Sequence, residues 1–282
     1  MRKFIKAQHY NIYLYLIALI IPIFILNPML CFAQGDDESI NPDRPDQNES
    51  PDVVEPLVLQ VESGYIFEKT ADLDIYKETN QSVPQVLIRF GLLKNTEFRT
   101  YIEYGITKEE LNSTVTGETS NYSHSGFKPI KFGVKLKIHD GEGFNPSAAF
   151  LINLAIPKLA SSYYKADYIA PEIILSLEQN LYKKISVGYN IIMSWDGFSP
   201  ESNEAYSISA NYSISRRIGM FLETYGFYQG SSSADNRLDG GLYYLITKDL
   251  QVDASGGVGL NDISPKFFLG AGFSFRLPAL KK

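Results

Sequence analysis

The feature that most restricts the fold of this chain is a two-residue alternation of apolar and polar side chains. It recurs from Leu57 onward in segments of about ten residues. In 204–215, for example, Tyr206 and Ile208 alternate with Ser207. A period of two places each set of side chains on its own face of a β-sheet. No apolar period of 3.6 residues and of useful length occurs in this part of the chain, so we expect an all-β protein.

Turn residues divide this part of the chain into about twelve candidate strands. Long polar linkers such as 107–126 alternate with short ones such as 216–217. Long loops on one side and tight turns on the other are typical of outer-membrane barrels. We therefore predict an antiparallel up-and-down transmembrane β-barrel over 57–282. Its expected strands are 57–68, 83–91, 96–106, 127–138, 147–157, 167–178, 184–195, 204–215, 218–229, 236–246, 250–259 and 266–277.

A soluble β-sandwich would also show alternation, with its apolar face turned inward. Strand length, charges mixed with Gly and Ser on the polar face, and aromatic residues near strand ends favour a barrel in lipid instead. In the last segment, Gly270, Phe273 and Phe275 match the terminal strand that barrel-assembly machinery recognises, although Phe268 stands where a polar residue is usual. The expected partners are therefore this machinery and outer-membrane lipid.

The N-terminal residues 1–33 have the pattern of a secretory signal peptide. Three basic residues precede an apolar stretch, and Cys31-Phe32-Ala33 precedes Gln34 with small residues at the cleavage positions. We predict cleavage after Ala33, export through the inner membrane and residence in the bacterial outer membrane. An uncleaved anchor is the alternative, because the apolar stretch is long enough to span a bilayer.

Residues 34–56 form an acidic, proline-rich segment, which we call the lead-in. From Gly35 to Pro56 it contains eight acidic residues, four prolines and one arginine, Arg44. Such a composition cannot bury a core, so we expect a disordered or extended segment. Without the signal peptide, the 32 acidic residues of the chain exceed its basic residues by nine. This excess argues against a nucleic-acid partner.

The lead-in and the first strand together resemble a known family. The lead-in contains Asp43-Arg44-Pro45-Asp46-Gln47-Asn48-Glu49-Ser50-Pro51, and Gln60-Val61-Glu62-Ser63-Gly64-Tyr65 follows in the first expected strand. This is similar to the transporter family named for the meta-pathway of phenol degradation, with Asn48 in place of the usual Thr. The resemblance implies a barrel that passes aromatic or other hydrophobic compounds, and it brings no catalytic residues with it.

The polar face of the expected strands supplies the candidate lumen residues. Basic side chains fall on the second to fourth strands and acidic ones on later strands, so the two sets would face each other across the lumen. They would either produce a transverse field or pair directly as a salt-bridge plug. We also expect the lead-in to fold back so that Arg44 meets luminal carboxylates, with a free tail as the alternative. The two wall sets are Arg89, Arg99, Lys131, Lys135 and Lys137, and Glu172, Glu178, Glu223, Asp239 and Asp253.

An enzyme is the main functional alternative, because some outer-membrane barrels are hydrolases. After the signal peptide the chain has two histidines, His124 and His139, and both fall in expected loops. A catalytic site needs a convergent pocket, so solvated loop residues are the simpler interpretation. We expect no cofactor, no metal and no catalytic residue. The predicted function is a channel or transporter for a small-molecule solute, with a barrel hydrolase or a structural or adhesion barrel as alternatives.

Overall fold

The computed structural model describes residues 39–72, 75–114, 116–230 and 234–277. Thirteen β-strands contain most of them. Their bounds are β1 (Leu59–Asp72), β2 (Tyr76–Leu93), β3 (Thr96–Asn112), β4 (Thr119–Phe127), β5 (Ile130–His139), β6 (Ser147–Ile156), β7 (Ala170–Tyr182), β8 (Ile185–Ser194), β9 (Asn203–Ser213), β10 (Ile218–Gln229), β11 (Asp235–Thr247), β12 (Leu250–Gly259) and β13 (Phe267–Leu277).

The strands form one antiparallel sheet that closes on itself through the ladder between β1 and β13. β3 pairs with β5 near its start and with β4 farther along, so β4 and β5 form one wall segment. Lys128 and Pro129 interrupt this segment, and a proline cannot donate to a ladder. With β4 and β5 counted together, the barrel has twelve strands, which confirms the predicted architecture.

The two ends of the barrel differ in their connections. Short turns join β2 to β3, β7 to β8, β9 to β10 and β11 to β12 at one end, which we call the short-turn end. The opposite, long-loop end holds the connection between β6 and β7, with 3-10 turns at Pro157–Leu159 and Ser162–Tyr164. In outer-membrane barrels the short turns face the periplasm and the long loops face outward. Within the described ranges, no helix has the length and apolar character to cross a bilayer.

The prediction of long loops at 69–82 and 107–126 was wrong for most of both segments. β2 already begins at Tyr76 and β3 continues to Asn112, so that Thr79 lies opposite Lys108 in a ladder. β4 then pairs with this extension of β3. Outside the lipid both faces of a sheet contact water, so a strand there can be polar on both sides. The alternation on which the prediction relied is then absent.

The two faces of the barrel wall carry the side chains that the alternation predicts. Ile191 and Ile208 are 64% and 44% exposed on the outside, whereas Asn190 and Ser209 on the same strands are 1% and 0% exposed on the inside. Soluble proteins show the reverse distribution, with polar groups outside and apolar groups inside. An outer surface of this kind fits a lipid environment.

Arginine at Ile191 is expected to lower the free energy of unfolding by about 2–4 kcal/mol, because it places a charge in the apolar outer face. Arginine at Asn211 is the matched luminal control and should cost much less, since Asn211 lines a cavity. Ser209, the neighbouring luminal residue on the same strand, is unsuitable because it is fully buried. The free energy of unfolding of each variant is measured by urea unfolding in lipid vesicles, with the fluorescence of Trp195 as the signal. Equal costs for Ile191→Arg and Asn211→Arg would contradict the assignment of faces.

Candidate functional site in the barrel lumen

The described part of the lead-in, residues 39–56, lies inside the barrel. The backbone N–H of Ile40 donates to the carbonyl oxygen of Lys248 at the short-turn end, with an N–O distance of 2.7 Å. Farther along, Asp43 and Asn48 are only 8% and 5% exposed. Most of the segment has no regular secondary structure. It turns between Asp43 and Ser50, and the N–H and hydroxyl group of Ser50 donate to the Asp43 carboxylate at 3.1 Å and 3.0 Å. It is nevertheless held by side chains of the wall and is not a free tail.

One lead-in carboxylate meets three buried cations of the wall. Oδ2 of Asp43 lies 3.1 Å from Nη1 of Arg89, 2.8 Å from Nη1 of Arg99 and 2.9 Å from Nζ of Lys135. These three residues come from β2, β3 and β5, and their side chains are at most 4% exposed. A carboxylate that several strands share in this way fixes the lead-in against one side of the lumen.

Further carboxylates complete this cluster. Nε and Nη2 of Arg89 donate to the two oxygens of Glu97, at 2.9 Å and 3.0 Å, and its Nη1 donates to Glu62 at 3.2 Å. Glu49 of the lead-in lies 2.7 Å from Nη2 of Arg99. Paired, hydrogen-bonded charges of this kind can remain ionised away from water.

The surroundings of Asp43 favour its charged form. Burial alone would raise the pKa of its carboxyl group. The positive charges of Arg89, Lys135 and Arg99 outweigh burial and hold the pKa of Asp43 well below its usual value of 3.8. Asp43 therefore remains an anion in the lumen at neutral pH.

Arg44 points away from this cluster, toward β12 and β13. Its Nη2 lies 3.0 Å from Oδ1 of Asp253, and its Nη1 donates to Gln85 at 3.1 Å. Gly64 and Gly272 face the guanidinium group so closely that a Cβ on either would lie 2.5 Å from one of its atoms. Glycine on two adjacent strands thus leaves the space that the Arg44 side chain fills.

On the opposite side of the lead-in, its contacts with β8 and β9 are hydrogen bonds between uncharged groups. Oγ of Ser207 donates to Oδ1 of Asn48 at 2.9 Å. The backbone N–H of Glu49 donates to Oδ1 of Asn190 at 2.6 Å, and the Asn190 amide donates back to the carbonyl oxygen of Glu49 at 3.0 Å. Gly188 leaves room for the Asn48 amide, because a Cβ there would overlap it.

Among the cavities around the described part of the lead-in, two open toward opposite ends of the barrel. One of about 500 Å³ opens toward the long-loop end, and one of about 810 Å³ opens toward the short-turn end. The aromatic residues lining the first are Tyr101, Tyr168, Trp195, Tyr206, Tyr225 and Phe227. The second is lined mainly by polar side chains, such as Asn180, Ser186, Asn211 and Ser213.

Four consecutive lead-in residues separate these cavities. Gln47 and Glu49 line the cavity at the long-loop end, whereas Asp46 and Asn48 line the one at the short-turn end. The backbone N–H of Gln47 donates to Oε2 of Glu223 on the wall at 2.8 Å. We call residues 46–49 the partition, because this turn of the lead-in lies between the two cavities.

The structure places the candidate lumen residues in several distinct environments. Arg89, Arg99 and Lys135 contact the lead-in, whereas Nζ of Lys131 lies 3.1 Å from Glu172 on β7. The direct pairing of the basic and acidic sets thus occurs at this contact. Two of the remaining candidates pair with the lead-in: Nζ of Lys137 lies 3.0 Å from Asp52, and Asp253 pairs with Arg44. Glu178 lines the short-turn cavity. Glu223 and Asp239 lie opposite each other on β10 and β11.

Sequence reasoning missed two wall carboxylates and the partners of the basic set. Glu62 and Glu97 are both fully buried on the luminal face. The alternation of β1 and β3 places them on the same face as the basic residues, and this signal could have identified them. Nothing comparable indicates that Asp43 is the common partner, because the lead-in has no period that fixes a direction for its side chains.

Neither histidine belongs to the luminal cluster. The ring of His124, on β4, stacks on Tyr163 with a centroid distance of 4.0 Å. Nε2 of His139 lies 2.8 Å from Nδ2 of Asn145 at the short-turn end. In the parts of the chain that the structure describes, no group of three or more histidine, cysteine, aspartate or glutamate residues is arranged to hold a metal ion.

Comparisons with known proteins agree with this architecture. The family model described as "Putative MetA-pathway of phenol degradation" matches residues 42–277, which include the partition and all thirteen strands. None of the curated protein sequences compared with this chain matches it.

Two solved structures resemble the fold at low sequence identity. The COG4313 outer membrane channel from Pseudomonas putida F1 has a TM-score of 0.60 and 12% identity, over 87% of this chain and 100% of that chain. The transport unit of the autotransporter AIDA-I from Escherichia coli has a TM-score of 0.51 and 9% identity, over 85% of this chain and 93% of that chain. At these identities the likeness shows a shared fold.

Proposed function

Since the chain belongs to the family described as "Putative MetA-pathway of phenol degradation", we propose that it is an outer-membrane channel for small solutes, narrowed by its own lead-in. The observation that carries this proposal is the pair of cavities on either side of the partition. A lumen that is open at both ends and divided by one turn of the lead-in needs only a small displacement of that turn to become continuous.

The contacts of the lead-in indicate where the passage opens. Ion pairs hold its Asp43 to β2, β3 and β5. Hydrogen bonds between neutral groups hold Asn48 and Glu49 to β8 and β9, and a hydrogen bond from the Gln47 N–H to the Glu223 carboxylate holds the lead-in to β10. A neutral hydrogen bond contributes only about 0.5–1.5 kcal/mol net. We therefore place the passage between the partition and strands β7 to β10, which contribute side chains to both cavities.

Small aromatic or hydrophobic compounds are the solutes that we propose for this passage. The cavity at the long-loop end combines aromatic rings with apolar side chains such as Ile174 and Ile192. Its volume of about 500 Å³ falls in the range of sites for small ligands. The family description, which refers to phenol degradation, supports the same solute class.

Deleting 35–56 is expected to raise the single-channel conductance severalfold in planar bilayers, because the partition is then gone. The full chain should show small or brief currents. Uptake of labelled phenol by cells that lack their general porins tests the solute class. Uptake should occur in cells that produce the full chain or the deletion variant, and not in cells that produce neither. A deletion variant with the conductance of the full chain would contradict the role of the lead-in. No current from either protein would contradict the channel.

A further inference from the structure

Two buried carboxylates lie beside the partition. Glu223 on β10 and Asp239 on β11 are directly opposite each other in the ladder, and they are 1% and 3% exposed. One oxygen of Glu223 accepts the N–H of Gln47. The other oxygen of Glu223 and both oxygens of Asp239 receive no hydrogen bond from the described residues.

No cation of the neighbouring elements compensates for this pair. Arg44 is engaged with Asp253, whose second oxygen is also without a donor among the described residues. Arg237, on the same strand as Asp239, pairs instead with Glu68 and Asp235. Asp46 of the partition adds a further carboxylate on this side.

Two neighbouring carboxylates repel each other when both are ionised, so a buried pair of this kind binds one shared proton and carries one negative charge, as in a carboxylate dyad. The pair of Glu223 and Asp239 therefore keeps a negative charge. Because Glu223 binds Gln47 of the partition, a charge on this pair lies at the point where the lumen opens when the partition moves, and the low-dielectric wall strengthens its field there.

The basic side of the lumen carries no comparable free charge while the lead-in is in place. Arg89, Arg99 and Lys135 are neutralised by Asp43 and Glu49 together with wall carboxylates. Other cations, Lys183, Lys184 and Arg216, line the mouth of the short-turn cavity, but they are exposed to water. Exposed charges at a wide mouth are screened within about 8 Å at physiological salt.

We propose that the lead-in makes the channel cation-selective, with Glu223 and Asp239 as the residues that select. The lead-in covers the basic wall and leaves the passage beside an uncompensated acidic pair. Among small aromatic solutes, those with an ammonium group then pass in preference to those with a carboxylate. This inference rests on the proposed channel function and adds to it the charge of the solute.

Reversal potentials in planar bilayers with a KCl gradient test the selectivity. We expect the full chain to pass K⁺ in preference to Cl⁻. The double variant Glu223→Gln with Asp239→Asn should bring the permeability ratio close to one, since both substitutions keep side-chain size and remove charge. Asp262→Asn, which neutralises an exposed loop carboxylate, is the matched control and should behave like the full chain.

Deleting 35–56 should have a larger effect, because it also uncovers the buried cations on β2, β3 and β5. The variant is expected to prefer Cl⁻ over K⁺, which reverses the preference of the full chain. This test holds even if the double variant folds poorly. Replacing KCl by benzylammonium chloride or by potassium benzoate then tests the solute class, and benzylammonium should carry the larger current through the full chain.

The outcomes separate the inference from the function on which it rests. Anion preference in the full chain, or a double variant as cation-selective as Asp262→Asn, would overturn the inference and leave the channel in place. A benzoate current larger than the benzylammonium current would overturn the solute class. The absence of current from every protein would overturn the channel, and the inference with it.

Discussion

Replacing Asp43 with asparagine is expected to release the lead-in and to raise the conductance of the channel severalfold. The substitution keeps the size of the side chain but removes the lead-in anion that Arg89, Arg99 and Lys135 share. The wall carboxylate Glu97, which also lies within 4.0 Å of all three, stays in place. Removing one partner of a buried ion pair typically costs about 3–5 kcal/mol. In this variant all three cations lose their shortest contact with the lead-in or one close to it, while Glu62 and Glu97 of the wall still balance part of their charge. Moving the lead-in out of the lumen lets water reach the three cations and avoids that cost.

Asp52→Asn is the matched control, since it makes the same change in the same segment. The Asp52 carboxylate lies 3.0 Å from Nζ of Lys137, and its side chain is 46% exposed. Exposed pairs contribute only about 0–1 kcal/mol, so this variant should keep the small currents of the full chain. Single-channel recording measures the opening, and protease cleavage of the lead-in measures its release. Equal currents from Asp43→Asn and Asp52→Asn would contradict the central role of Asp43.

Mild acid should leave the contribution of Asp43 to docking of the lead-in in place. The pKa of Asp43 lies well below its usual value of 3.8, so its charged form stabilises the docked lead-in. That contribution is fully present above the usual pKa and is lost only when the pH falls through the lower pKa of the docked state. Lowering the pH from 7 to 5 should therefore leave the Asp43 ion pairs intact.

The barrel wall could be predicted because lipid imposes a strict rule on it. Along β8 and β9, for example, outward residues such as Ile191 and Ile208 must be apolar, and their neighbours then point inward. The same rule predicts that the basic and acidic candidate residues face the lumen. The rule does not apply beyond the membrane. There the end of β3 and the whole of β4 are polar on both faces, so the sequence predicts a loop where the structure has strands.

The partners within the lumen could not be predicted, for a different reason. Asp43 and Lys135 are 92 residues apart, and their pairing depends on the route that the lead-in takes through the barrel. The acidic, proline-rich composition of the lead-in indicates an extended chain, but not the position of any residue. The expected field between two charged walls was therefore incomplete, because it omitted the carboxylates that the lead-in itself brings to the basic side.

Locking the partition to the wall with a disulfide is expected to nearly abolish conduction, the opposite of the Asp43→Asn effect. A Cβ on Gly188 would lie 3.0 Å from Cγ of Asn48. In the double variant Asn48→Cys with Gly188→Cys, one sulfur takes approximately the place of that Cγ. A Cβ-to-Sγ distance of this size fits a disulfide with an S–S bond of about 2.05 Å.

The disulfide distinguishes a channel that conducts when the partition moves from one in which solutes pass around a fixed partition. Under oxidising conditions the double variant should carry almost no current, and a reductant should restore the current within one recording. The chain has a single cysteine, Cys31, in the predicted signal peptide, so Asn48→Cys alone controls for oxidation elsewhere. Adding Asp43→Asn to the oxidised double variant should not reopen the channel, because the disulfide holds the partition after its ion pairs are lost. Full-size currents through the locked protein would show that solutes pass without displacing residues 46–49.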